Sequence, residues 1–229
     1  MEPKIDLSNV TYLSIVGNRS DSRYTDVDST IKIGQHSSKK INFGRKVIYT
    51  FEDPSVDPED FEIVKIPEIQ YEDFSVFVLI NYNQLFETDF MINFHHDGFI
   101  ENPDKWDKDF LNYDFIGAPM HNSGFLVNGN GGFSLRSKNF TKLVSKLVSN
   151  NKSLKNFPED VTVSLYLRFL LEGMGINYAP LNVCEKFSLE HHLATGNVGF
   201  GESFGFHEIN KLFDNSEKTR RAEIYSRIF

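Results

Sequence analysis

Apolar positions along the chain fall into short β-rich runs separated by stretches of helical spacing. Val10 to Val16 reads as a first buried strand, closing on Gly17, Asn18 and Arg19. Asp28 to Gly34 suits a short helix, and Lys46 to Phe51 repeats the strand pattern before Glu52, Asp53 and Pro54. Phe61 to Ile66 is a further strand, Tyr71 to Leu85 has helical spacing over part of its length, and Phe90 to Phe94 is a buried strand. Beyond it, Asn102 and Pro103 open a turn and a short helix with Trp106, Phe110 and Leu111, where Trp106 reads as packing. Tyr113 to Gly117 is then extended. Lys138 to Val148 carries an amphipathic period through Phe140, Leu143, Val144, Leu147 and Val148, and Val161 to Leu171 carries another. Glu217 to Arg227 predicts a charged tail helix with a solvated face or a partner surface. The alternation predicts an α/β fold, in which a nucleotide sits at the carboxyl end of the first strand. Gly17, Asn18 and Arg19 are therefore binding candidates, and Asp53 joins them after the second strand.

One run resists this reading. Gly129, Gly131 and Gly132 flank Asn130, and Phe133 to Ser137 follows. Each glycine costs backbone entropy and brings no apolar surface. The run is either a ligand-facing turn or a glycine-rich bulge that leads into a strand from Phe133 to Arg136.

Composition narrows the class. The 229 residues allow one large domain or two small ones, and 22 Phe against one Trp predict an aromatic interior with some rings exposed as stacking platforms for a planar or sugar ligand. With 24 basic and 32 acidic residues the net charge is −8, which opposes a general nucleic-acid surface. The lone Cys184 excludes an intrachain disulfide, no apolar start resembles a signal peptide, and no window approaches the ~18 apolar residues of a membrane span. A cytoplasmic protein without a membrane span is expected.

The chemistry concentrates at strand and helix ends. His95, His96, Asp97 and Gly98 follow the strand Phe90 to Phe94, and strand alternation would project His95 and Asp97 together with His96 opposite. An imidazole with a carboxylate there suits a divalent ion such as Mn²⁺; a polar strand end with a turn glycine is the plainer alternative. Pro158, Glu159 and Asp160 precede the helix at Val161, where two acids either complement the helix dipole or supply a general base. His207, in the aromatic and glycine setting Phe204 to His207, is a better ligand candidate than His191 or His192.

These residues occur in an order that resembles a family. Asp97 to Ile100, Tyr113 to Pro119, Gly129 to Ser137, Pro158 to Asp160, Ala179 and Pro180 with Phe187 and Ser188, and Phe204 to His207 form a series similar to a group of GT-A-like glycosyltransferases of bacteria, phages and large viruses. The resemblance spans about Val10 to His207. It implies a single α/β domain over residues 1–229, with a Rossmann-like central mixed sheet flanked by helices and a tail helix in 208–229. It further implies a nucleotide-sugar-dependent, inverting transferase that uses Mn²⁺ or Mg²⁺. Asp97 matches the last carboxylate of the family's Asp-x-Asp element, His95 stands where its first Asp would be, and His207 matches a histidine that completes the metal shell. Gly98, Asn130, Gly131, Gly132 and Phe133 would lie beside donor sugar and acceptor. Glu159 and Asp160 match the acidic pair that supplies the base, with Asp160 as the base.

A glycan is the expected acceptor. A hydroxylated phage DNA base is the alternative, contacted by Arg19, Arg23, Lys39, Lys40, Arg45 and Lys46, and it would require base extrusion. Two non-enzymatic readings stand beside these: a nucleotide-sugar or carbohydrate-binding protein without catalysis, and a scaffold subunit of a glycan-assembly complex that docks through the charged tail.

Overall fold

The computed structural model describes residues 4–17, 25–122, 125–190, 201–207 and 215–229. In chain order the main elements are β1 (Ile5–Val16), α1 (Val27–Ser38), β2 (Ile41–Thr50), β3 (Glu62–Lys65), α2 (Tyr71–Leu85), β4 (Phe90–Asn93), β5 (Gly98–Ile100), β6 (Phe115–Gly117), β7 (Pro119–Asn122), β8 (Phe125–Asn128), β9 (Ser134–Ser137), α3 (Lys138–Ser149), α4 (Glu159–Val161), α5 (Arg168–Gly173), α6 (Leu181–Phe187), β10 (Ser188–Leu189), β11 (Gly205–His207) and α7 (Asn215–Ile228). Among the described residues a six-stranded mixed sheet runs β3-β2-β1-β4-β9-β6. β1 pairs in parallel with both β2 and β4, and β2 with β3, whereas β9 is antiparallel to β4 and β6. The parallel strands deliver their carboxyl ends to one edge, which is where such a sheet builds its site.

The central position of β1 explains its near-continuous apolar run. Covered on both faces, it sends Tyr12 and Val16 to one core and Leu13 and Ile15 to the other. The first core takes Val27 and Ile31 of α1, Phe187 of α6 and Ile224 of α7; the other takes Val78 and Tyr82 of α2. A third cluster joins α2 and α3 through Leu79, Phe140 and Val144. Most of the phenylalanine excess is spent here: the Tyr12 ring stacks between Phe43 at 4.8 Å and Phe94 at 4.2 Å. Cys184 is buried, and burial pushes its thiol up from the ordinary range.

Local chemistry sets the helix starts. Asp26 caps α1 by accepting from the Ser29 amide at 2.8 Å, while Glu52 reaches from the end of β2 to accept from the Val27 amide at 2.7 Å. Ser137 closes β9 and caps α3, accepting from the Phe140 amide at 3.0 Å.

Two expectations are corrected. The helix predicted over Val161 to Leu171 is interrupted by a π-helical turn at Thr162–Tyr166, with the Leu167 amide on the Thr162 carbonyl at 2.9 Å. The tail helix is not a merely solvated face, because Ile224 and Tyr225 enter the first core. Among the described residues no helix is long and apolar enough to cross a membrane.

Candidate functional site

The end of β4 does not continue as a strand. The His95 amide donates to the Gly98 carbonyl at 2.8 Å and the Gly98 amide to the His95 carbonyl at 3.3 Å, a tight reversal into β5. His95 and Asp97 therefore meet through a turn, not through strand alternation as the sequence predicted. His96 does not point away either, since its Nδ1 lies 3.7 Å from Asp97 Oδ1. The Tyr225 hydroxyl of α7 donates to the His96 carbonyl at 2.5 Å and pins the turn. β11 then pairs antiparallel with β5, setting His207 opposite Gly98. That pairing brings together side chains more than a hundred positions apart: His207 Nε2 lies 3.7 Å from Asp97 Oδ1, and ligand atoms of His95, Asp97 and His207 all lie within 4.8 Å of one another.

The glycine run now has a physical reason. Positive φ among the described glycines occurs at Gly175 and Gly201, not in the run, so conformational freedom is not what it supplies. Close approach is, and the groups that approach are the protein's own. A Cβ on Gly131 would sit 1.6 Å from Glu159 Oε1, on Gly132 1.9 Å from His207 Nε2, and on Gly129 2.4 Å from Ser164 Oγ. Gly98 completes the seat of the imidazole, with a Cβ there 2.7 Å from His207 Cδ2. The run is a cradle for the site's side chains.

Behind the cradle lies a buried polar layer that the sequence reading missed. Arg136, 1% exposed on β9, donates from one terminal nitrogen to both oxygens of Glu159 at 2.9 and 3.1 Å, and its guanidinium lies over the rings of Tyr82 and Phe115. Asn93, at the end of β4, donates to the Gly131 carbonyl at 2.9 Å, accepts from the Tyr82 hydroxyl at 3.0 Å and reaches His95 Nε2 at 3.3 Å. Asn130 accepts from the Gly132 amide at 2.8 Å and donates to Glu190 at 2.9 Å. Glu190 is buried beyond β10, with Oε1 3.9 Å from His207 Nδ1. A polar residue inside an apolar strand was the available signal for Asn93 and Arg136; for Glu190 there was none, because two residues of strand carry no period.

Glu159 and Asp160 open α4 as the sequence predicted, but their surroundings differ. Glu159 is neutralised by Arg136. Asp160 is pushed up to about 6, first by burial and then by the charges of Glu159 and Glu190, with His207 and the Val161 amide acting in the opposite direction.

The remaining candidates separate. Gly17 lines a cavity at the end of β1 together with Thr25, Tyr71, Phe74, His95 and His96. Asn18, Arg19 and Arg23 lie outside the described residues, as do His191 and His192. Asp53 does not line that cavity: it is exposed and pairs with Lys65 at 2.7 Å, and its neighbour Glu52 turns inward instead. Phe133 does not face a ligand, for its ring is fully buried and stacked on Phe187 at 5.1 Å. The described basic candidates are engaged by acids: Arg45 pairs with Glu62 at 2.7 Å, Lys46 with Asp60 at 2.5 Å and Lys40 with Asp104 at 3.7 Å. Lys39 stands at the far end of α1, about 18 Å along the helix from its capped start.

Two imidazoles and a carboxylate, converging and seated by two glycines, fit a divalent first-row ion with positions left open for further oxygen ligands. An all-oxygen set would be expected for a dedicated Mg²⁺ site, whereas two imidazoles with one carboxylate suit first-row transition ions.

Comparison with known proteins agrees with this architecture. A glycosyltransferase involved in the glycosylation of the major capsid of PBCV-1 superposes with a TM-score of 0.56 at 14% identity, covering 94% of this chain and 98% of that one. The galactosyltransferase LgtC, solved in complex with donor and acceptor sugar analogs, superposes with a TM-score of 0.52 at 10% identity, covering 98% and 95%. The fold is that of GT-A glycosyltransferases. No curated protein matches in sequence. A family model described as "Protein of unknown function (DUF5672)" matches residues 70–207.

Proposed function

The chain belongs to the DUF5672 family, and we propose that it is a glycosyltransferase that takes a nucleotide-sugar donor, uses a divalent ion and inverts the anomeric centre. One observation carries the reading: at the carboxyl edge of a GT-A sheet, the His95, Asp97 and His207 cluster shares an electrostatic environment with the raised carboxyl of Asp160. A divalent ion held by those three side chains would offset the charge on a departing nucleoside diphosphate.

The rest is the work of the chain's own groups. The acceptor hydroxyl oxygen bonds to the anomeric carbon as the bond from that carbon to the diphosphate oxygen breaks, and the hydroxyl proton passes to the Asp160 carboxylate. A carboxyl raised to about 6 is ionised at neutral pH yet basic enough to take that proton. Glu159 is committed to Arg136 and positions the start of α4. Asn93 and Asn130 hold the glycine turn against His95 and Glu190. The cavity at Gly17, Phe74 and His95 receives the nucleotide end of the donor.

The test is a panel of nucleotide sugars screened for thermal stabilisation with and without Mn²⁺, followed by donor turnover. A donor that stabilises the wild type and Asp160→Asn alike, but is turned over only by the wild type, is the expected result. Wild-type turnover by Asp160→Asn would remove the assigned base, and silence across the panel would remove the transferase reading.

A further inference from the structure

We infer that the acceptor is a neutral saccharide, held by an aromatic cleft at the mouth of the site; this rests on the transferase reading above. Tyr71 and Phe74, at the start of α2, each line two cavities. One is the donor-side cavity with Gly17 and His95. The other, about 400 Å³, lies between the start of α2 and the loop that leads into Glu159 and Asp160. It is walled by the rings of Tyr71, Phe74 and Phe157, with Glu72, Ser75 and Asn156 between them. Pro158, also in its wall, stands two positions before Asp160 in the chain, and Tyr71 and Phe74 are shared with the donor-side cavity.

The lining selects the ligand. A pyranose presents a C–H face and a rim of hydroxyls, and this cleft presents ring faces alongside a carboxylate, a hydroxyl and an amide. Phe157 packs on Tyr166 at 4.3 Å, on the π-helical turn, and Tyr71 is 62% exposed, so its ring is open to a ligand. A nucleic-acid strand would also stack on aromatic rings, but it needs cations along its backbone. Among the described side chains of this wall the one charged at neutral pH is Glu72, in a protein of net charge −8, which would repel phosphates. Charge therefore separates the two acceptors that the rings alone would admit.

The experiment uses the whole chain without donor. Maltose, cellobiose, lactose and chitobiose are tested individually by saturation-transfer NMR, beside a short single-stranded oligodeoxynucleotide. At least one saccharide is expected to bind, with affinity falling roughly tenfold in Phe157→Ala and in Tyr71→Ala. Phe169→Ala, which removes a ring that is 90% exposed and outside the cleft, is expected to leave that affinity unchanged. Circular dichroism checks that each variant is folded. Saccharide binding indifferent to Phe157 and Tyr71, binding of the oligonucleotide in place of the saccharides, or no binding to any of the four overturns the inference. Because no donor is present, these outcomes are read independently of the nucleotide-sugar screen, whose failure would instead overturn the transferase reading.

Discussion

At the scale of single residues, the site is a set of contacts so close that glycine is obligatory. Gly132→Ala would drive a methyl group into the space of His207 Nε2, so the imidazole must leave its seat. The variant is expected to weaken Mn²⁺ binding about 10- to 100-fold in isothermal titration, as displacing a metal-ligand orientation does elsewhere. Gly173→Ala is the matched control: nothing lies within 4 Å, and the helical end should gain about 0.5 kcal/mol in urea unfolding. Asp160 adds a pH signature. Its folded-state carboxyl holds a proton up to about pH 6, whereas the unfolded chain releases it near the ordinary 3.8. The folded state thus binds more protons between those values, and stability falls as pH rises through them. Its neighbours Glu159, Glu190, His207 and Arg136 set this balance. Asp160→Asn should therefore raise the metal-free melting temperature at neutral pH, by a free energy on the order of 1–3 kcal/mol, with the gain vanishing toward pH 4. A variant whose gain is the same at both pH values would show that this carboxyl is not strained by folding.

The candidate residues named from sequence illustrate what is readable at this scale. His95, Asp97, Asp160 and His207 stood out because polar, metal-suited or acidic types closed apolar runs. Arg136 and Glu190 did not, because a buried charge is intelligible only once its partner is known, and the partners Glu159 and Asn130 are supplied by folding. Phe133, placed beside the donor sugar by the resemblance alone, differs for a related reason: its stack on Phe187 comes from a distant helix.

At the scale of elements, β9 and α7 carry more than their lengths suggest. β9 sits between β4 and β6 and presents Arg136 to Glu159, tying the sheet to the start of α4. Arg136→Ala would leave Glu159 without its cation in a nearly closed site, a loss of about 3–5 kcal/mol in chemical unfolding. Combining it with Glu159→Gln should recover part of that loss, because the unpaired charge is then gone. α7 reads by sequence as a charged appendage, yet Tyr225 packs edge-on to Phe99 at 6.3 Å and holds the His96 carbonyl. Tyr225→Phe is expected to cost about 1 kcal/mol of stability and to loosen the β4–β5 turn, seen as weaker Mn²⁺ binding with an unchanged far-ultraviolet spectrum. The π-helical turn after Asp160 follows the same logic: periodicity predicted a continuous helix, and the widened turn carries Ser164 against Gly129 and Tyr166 against Phe157.

At the scale of the whole molecule, the sheet order decides where chemistry is possible. β1, β2 and β4 run parallel and end at one edge, so the residues after each strand are gathered there whatever their separation in the chain. Mn²⁺ bound at that edge should stabilise the whole fold, since the ligands come from the β4–β5 turn and from β11. At a hundredfold excess over its dissociation constant the gain is about 2.7 kcal/mol, readable as a melting-temperature rise that EDTA reverses and His207→Ala abolishes.

The sequence by itself determined the alternation of strands and helices, the α/β class, the polar end of the strand Phe90 to Phe94 and the acids at Glu159 and Asp160. All of these are local, encoded by period, breakers and residue type within a few positions. Only the tertiary structure decided which of them meet. β11 joins β5, which delivers His207 to Asp97; Arg136 takes Glu159, which leaves Asp160 outside that pair; and the glycines make room for both histidine and carboxylate. Those pairings depend on strand order and on contacts between residues far apart in the chain, and no local pattern encodes a distance of that kind.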